Sequence, residues 1–225
     1  MNTTKRTSAS FSRVPQLWIG LALIALFWPL NWLLDGVRTH LLFFPLWLGY
    51  ALAVDGFVWL RKGTSLLRRN WRAYAGLFVA SAPFWWLFEA VNLRTQNWIY
   101  LGEDQIALWL RVVLRTLSFS TVIPAVFGTA ELVSTWGWVR RLPKGPVIRP
   151  VRPVLVAFFL AGIATFLLLM VWPGIFFPFV WLSVYLMLAA VNATLGYRSL
   201  GRRTASGDWR PAVALMLGAL ICGFF

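Results

Sequence analysis

Acidic side chains are scarce in this chain: 7 Asp and Glu stand against 21 Lys and Arg, with one histidine and one cysteine. The lone cysteine, Cys222, lies in an apolar run, which excludes an intrachain disulfide and leaves thiolate metal chemistry without a ligand set. The lone histidine, His40, stands apart from any cluster, and Ser118, Ser120 and Thr121 lack a partner histidine. No glycine-rich phosphate loop occurs either, so metal, nucleotide and serine-hydrolase chemistries are not expected, and no cofactor is.

What the chain has in abundance is apolar surface. Of its 225 residues 60% are hydrophobic and 12% charged, and the mean hydropathy is +0.71. A water-soluble domain of this size does not use so much, and the fold class expected is all-α, a polytopic transmembrane helical bundle. In a soluble protein a net charge of +14 and a pI near 11.5 would suggest nucleic acid. Here the charge has another explanation, and no nucleic-acid partner is expected.

A bilayer core of about 30 Å needs roughly 20 mostly apolar residues per helix. Six segments pass: Leu17 to Leu34, Leu41 to Leu60, Ala73 to Val91, Val112 to Val139, Val154 to Pro173 and Gly174 to Gly196. A seventh apolar stretch, Ala212 to Phe225, reaches only about two thirds of the way across at about 1.5 Å per residue. The first run is long enough to span and no small-residue cleavage site follows it, so it reads as a signal anchor. Basic residues alternate between the connections. Lys5, Arg6 and Arg13 precede the first span; Arg61, Lys62, Arg68, Arg69 and Arg72 follow the second; Arg140, Arg141, Lys144, Arg149 and Arg152 follow the fourth; Arg198, Arg202, Arg203 and Arg210 follow the sixth. These 17 of 21 cations fall on one side, against Arg38 and Arg94 on the other. Positive charge is retained in the cytoplasm, so the expected location is the inner cell membrane with a cytoplasmic N-terminus. Membrane lipids are the expected partners, including anionic headgroups on the cytoplasmic face. Most of the 15 tryptophans fall near span ends, as in an interfacial belt.

The sequence also resembles itself. Trp28-Pro29 recurs as Trp172-Pro173, and Phe43-Phe44-Pro45 with Trp47 recurs as Phe176-Phe177-Pro178 with Trp181. Val54-Asp55 before Arg61 matches Val191-Asn192 before Arg198, and Trp71-Arg72 matches Trp209-Arg210. Two parallel three-helix repeats joined by a linker helix follow, related by a pseudo-twofold along the membrane normal. The expected organisation is a cytoplasmic tail over 1–16, a first repeat over 17–91, an outer connection, linker helix and basic loop over 92–153, and a second repeat over 154–225. Aligned on Trp71 and Trp209, Phe225 falls beside Leu87, so the second repeat stops early. A shortened form of a longer protein, a second membrane subunit or a homo-oligomer would each account for that.

Ionisable groups within spans are costly and therefore candidate sites. Glu89, near the outer end of the third span, lies at a depth comparable to Arg111 and Arg115, one turn apart at the start of the fourth, and pairing between them is expected. Glu131 lies nine residues before Arg140, near the bilayer middle. It sits about 160° around an unbroken helix from Arg115, although Pro124 should bend that helix. Without an evident cation at its level it is expected to be neutral at pH 7 and is the foremost candidate for proton chemistry. Asp55, Asn192 and Asn92 complete the candidate binding set, Asp55 being expected to hydrogen-bond between helices. Asn92 to Gln105 reads as an interfacial outer connection turned by Gly102, with Glu103 and Asp104 facing water.

Glu89 followed by Trp98-Ile99-Tyr100-Leu101-Gly102 loosely resembles the integral-membrane carotenoid cyclases and hydratases, which also use small repeated helical units. That resemblance implies a membrane enzyme acting on an isoprenoid, with Glu89 or Glu131 as the catalytic acid. The chain is similar as well to bacterial polytopic membrane proteins for which no activity is implied. Three functions therefore stand side by side: a transport-like or lipid-binding bundle, an acid-catalysing enzyme of isoprenoids or other lipids, and a structural subunit of a membrane complex. A transporter needs a polar path between repeats, an enzyme a lipid-open pocket around an acid, a structural subunit neither.

Overall fold

A computed structural model describes residues 14–34, 38–101, 106–197 and 199–225. Lys5, Arg6, Arg13, Gly102 to Gln105, Arg198 and the side chain of Arg38 lie outside the described residues. The described chain is all-α, in the order α1 Pro15–Leu33, α2 Arg38–Lys62, α3 Leu66–Arg69, α4 Trp71–Thr95, α5 Leu108–Ser120, α6 Val122–Val133, α7 Gly137–Arg140, α8 Arg152–Val171, α9 Pro173–Phe176, α10 Phe179–Thr194, α11 Leu200–Thr204 and α12 Arg210–Phe224. Five helical stretches are long and apolar enough to cross a membrane: α1, α2 from His40, α4, α5 with α6 over Leu108–Val133, and α8. Helices α10 and α12 are shorter apolar helices. The protein is a multi-span helical membrane protein.

Proline marks several boundaries. Pro15 opens α1, where a missing N–H costs nothing. Trp172 precedes Pro173 and leaves the helical region at φ −125, ψ 69, which ends α8. The stretch expected as one sixth span, Gly174 to Gly196, is thus divided into the single turn of α9 and the 16 residues of α10. The fourth span starts earlier than expected, at Leu108, and its long helix ends at Val133 rather than Val139, because Ser134 to Trp136 form a turn. Asn92, read as the start of a loop, lies inside α4, which runs on to Thr95.

Two compact units divide the described residues. The first comprises those within Met1–Trp86, Leu101–Arg140 and Ala214–Phe225, the second those within Leu87–Tyr100 and Arg141–Val213.

In the first unit, backbones approach closely where side chains vanish. A Cβ on Gly20 of α1 would run into the Ala53 nitrogen of α2, and one on Gly218 of α12 would lie 2.7 Å from the Ala130 nitrogen of α6. Small residues allow dispersion and packing to hold helices together where lipid removes the hydrophobic drive. Around these contacts Tyr50, Val54, Ala125 and Cys222 form a buried cluster covered by Trp47 and Phe225. The Phe225 ring lies 5.3 Å from that of Trp47 and 4.6 Å from that of Tyr50. Cys222 is a free, buried thiol. Between α5 and α6 the helix is interrupted at Thr121, three residues before Pro124, so the bend lies where the proline placed it. Ser81 of α4 repairs the break: its Oγ donates to the Phe119 carbonyl at 2.5 Å and accepts from the Ile123 nitrogen at 3.1 Å. Those two groups are an i, i+4 pair that a regular helix would join directly.

In the second unit α8 and α10 pack through Gly162, whose Cβ would lie 2.8 Å from the Ser183 carbonyl oxygen. The basic connection before α8 is tied to the α11 segment by Gly145 N–H to the Gly207 carbonyl at 2.9 Å and Ile148 N–H to the Thr204 carbonyl at 3.1 Å. Trp209 Nε1 donates to the Pro146 carbonyl at 2.8 Å. Phe88, at the far part of α4, has its ring 4.1 Å from that of Trp181 on α10, tilted by 47°.

Candidate functional site

Three carboxylates in apolar helices accept hydrogen bonds from segments that connect helices. Glu89 is 8% exposed, on the turn of α4 after Phe88. Its Oε1 accepts from Tyr100 OH at 2.6 Å and from Trp98 Nε1 at 3.0 Å. One turn later Asn92 holds the same segment by its backbone: Nδ2 donates to the Trp98 carbonyl at 2.8 Å, and Oδ1 accepts from the Asn97 nitrogen at 2.9 Å. Gln96 takes a left-handed φ of 49 between them, which turns the chain back along the helix end. The Trp-x-Tyr stretch noted in the sequence is therefore brought onto Glu89, and Asn92 holds its backbone. Arg111 and Arg115 lie on α5 in the first unit, half-buried, whereas Glu89 belongs to the second.

Glu131 departs from expectation. It was read as lacking a cation and therefore neutral, but Lys62 Nζ lies 2.8 Å from Oε1, and Arg69 reaches both oxygens, Nη1 to Oε1 at 2.6 Å and Nη2 to Oε2 at 2.9 Å. The forked guanidinium matches the carboxylate in plane, the strongest form of such a pair. The reason is topological: α2 ends at Lys62, and Gly63, at φ 72, reverses the chain so that α3 carries Arg69 back to α6. The glutamate side chain is 10% exposed while Lys62 and Arg69 are 44% and 41% exposed, so the cations keep contact with the surroundings. Hydrogen bonding to Glu131 pushes the Arg69 pKa above its ordinary value.

Asp55, 2% exposed, is also held by the segment that follows its own helix. Ser65 Oγ donates to Oδ2 at 2.8 Å and the Leu67 nitrogen to Oδ1 at 3.0 Å. Asp55 and Glu131 thus grip α3 from two sides. Its repeat counterpart Asn192 lies on the exposed surface of α10, outside any such cluster. Arg68 adds a guanidinium 5.4 Å over the Trp59 ring.

Sequence reasoning missed two features. Asp208, between α11 and α12, bridges Arg203 at 2.9 Å and Arg210 at 2.7 Å. The hydrogen bond from Arg210, with Arg203 adding its charge, holds that carboxyl below the usual aspartate range. The i, i+2 spacing in Asp208-Trp209-Arg210 was the available signal. The second is a groove of about 620 Å³ between α8 and α10. Arg152 stands at one end and Leu155, Phe159 and Leu160 from α8 line it together with Ala190 from α10 and Leu195 just past its end; Thr194 is the polar uncharged member. Its hydroxyl donates within its own helix, to the Ala190 carbonyl at 2.8 Å. No carboxylate lines this groove. Among the described residues no group of three or more His, Cys, Asp or Glu could hold a metal ion. No protein-family model, curated protein or solved structure matches the chain.

Proposed function

We propose that this membrane bundle binds a lipid-like amphipathic molecule without transforming it. The observation that carries the reading is the segregation of acid from cavity. The open apolar groove between α8 and α10 contains a cation and no carboxylate, while Glu89, Glu131 and Asp55 are engaged in holding Trp98 to Tyr100 and α3 in place. A general acid must reach the group it protonates, within about 3 Å or through one water. The isoprenoid-enzyme reading, with Glu89 or Glu131 as acid, has the Glu89 to Tyr100 constellation in its favour and the occupied acceptors against it.

In this reading the N-terminus and the basic connections are cytoplasmic in the inner membrane, as the Lys and Arg distribution favours. The two three-helix stretches act as parallel repeats. Supporting that, each contains two apolar helices, a short basic helix opened after serine (α3 after Ser65, α11 after Ser199) and a last helix that begins at a Trp-Arg pair. The matched tryptophans also take similar partners: Phe225 packs on Trp47, and Phe88 on Trp181. The test is the material retained through purification in mild detergent, identified by mass spectrometry and absorption. Wild type, Glu89→Gln and Glu131→Gln are expected to retain the same amphipath unchanged. Conversion of that molecule by wild type, abolished in either variant, would replace binding by catalysis.

A further inference from the structure

The groove between α8 and α10 differs from ordinary lipid-facing surface at its Arg152 end. Arg152 occupies the first position of a 20-residue helix whose first turn carries no acidic residue. A cation there adds to the positive end of the helix dipole instead of offsetting it, so this end of α8 favours an anion that its own first turn does not supply. Arg152 is exposed. The neighbouring end of α10 is covered by a further cation, Arg202, whose Nη2 donates to the Gly196 carbonyl at 2.7 Å. From this mouth the groove runs along α8 to Leu160, eight residues on, which is about 12 Å of helix. A leaflet is half of the roughly 30 Å hydrocarbon core, or about 15 Å. The floor is made by Ala190, 4% exposed, between the exposed rims of Val156 and Val191. A channel about one leaflet deep, apolar along its length and cationic at the level where its helix begins, fits a lipid tail with a charged head.

We propose that this groove is a specific site for one anionic glycerophospholipid, its acyl chain between α8 and α10 and its phosphate on the Arg152 guanidinium. This rests on the binding reading above and names the class of molecule bound. Arg152 supplies the head-group preference and the Ala190 floor the chain site. The guanidinium fork and the phosphate oxygens are matched in geometry as well as charge.

Native mass spectrometry of the delipidated protein in detergent, titrated with phosphatidylglycerol or with phosphatidylcholine of identical chains, tests this. The first bound phosphatidylglycerol is expected to hold roughly fivefold more tightly, the ratio corresponding to about 1 kcal/mol for one basic residue at a membrane surface. Arg152→Gln should equalise the two lipids while chain binding survives. Val156→Trp, which fills the rim, should weaken both, and Arg141→Gln, on the same basic connection but outside the groove, should keep the preference. Retention of neither lipid by wild type would sink the binding reading itself. Equal retention of both would leave binding intact and overturn the anionic class, as would a preference that survives Arg152→Gln or falls equally in Arg141→Gln. Displacement of phosphatidylglycerol by an equimolar polyprenyl phosphate would overturn the assignment of the occupant to a glycerophospholipid.

Discussion

A single carboxylate buried in apolar surroundings is informative mainly through what touches it. Glu131 shows why a linear reading goes astray: its own helix carries no cation near its level, and its partners arrive from the α2 end and α3, 69 and 62 residues earlier. Hydropathy and helical angle describe one helix at a time and contain no term for such a return. Replacing Glu131 by Gln is expected to lower stability by about 1–3 kcal/mol, since two cations keep some exposure, and the double variant with Arg69→Gln should lose less than the sum. Thermal melts in detergent check this; strict additivity would mean the fork contributes nothing. The partners of Glu89 lie closer along the chain, Trp98 and Tyr100 following within a dozen residues. The expected pairing of Glu89 with Arg111 or Arg115 joins residues of different units and is open to the same cycle, with Glu89→Gln combined with each Arg→Gln: additive losses for both arginines exclude the pair. For Asp208 the sign is fixed by the lowered folded pKa. Its ion pairs contribute above the unfolded value of about 3.9 and are lost as pH falls through the folded one. The gap in melting temperature between wild type and Asp208→Asn should therefore be present at pH 7 and shrink at pH 3.

At the scale of elements, apolar length was enough to place most helices, and proline enough to locate the α5–α6 break and the end of α8. What linear reading lacked was the repair. Nothing in the stretch around Ser81 announces that its hydroxyl closes a gap in another helix, because that pairing is 38 residues away along the chain. Ser81→Ala would leave the Phe119 carbonyl and the Ile123 N–H facing each other across an empty space, with an expected loss of about 1–3 kcal/mol. Ser81→Thr, which keeps the hydroxyl, should lose less. A melt showing Ser81→Ala as stable as wild type would mean that the two groups close up by themselves. The small residues at helix contacts make a parallel case: Gly218→Val forces a side chain onto the α6 backbone and should cost about 1–3 kcal/mol by overpacking. Gly76, with open space around its Cβ position, should accept Ala with little change.

For the whole molecule, the membrane class was plain from composition, whereas the division into units was not. The proposed orientation is open to a direct check. In a cysteine-free background, Leu66→Cys should react with an impermeant maleimide only after cells are permeabilised, and Ile99→Cys should react in intact cells. The opposite pattern would invert the topology. The sequence-level repeat leads to the expectation of three-helix stretches over 17–91 and 154–225; the two compact units divide α4 after Trp86 and α12 after Val213, so that Cys222 of α12 shares a core with α2 and α6.

That division carries a cost in time. Tyr50 and Thr129 are 2.8 Å apart and await Cys222, which lies 3.2 Å from the threonine hydroxyl and 93 residues after it. At a synthesis rate of about 5–20 residues per second, that interval lasts roughly 5–19 s. Throughout it, α2 and α6 stand in the bilayer with two hydroxyls and the Gly128 to Ala130 surface uncovered, and whatever accompanies the nascent chain, lipid or insertion machinery, must occupy the place that α12 later takes.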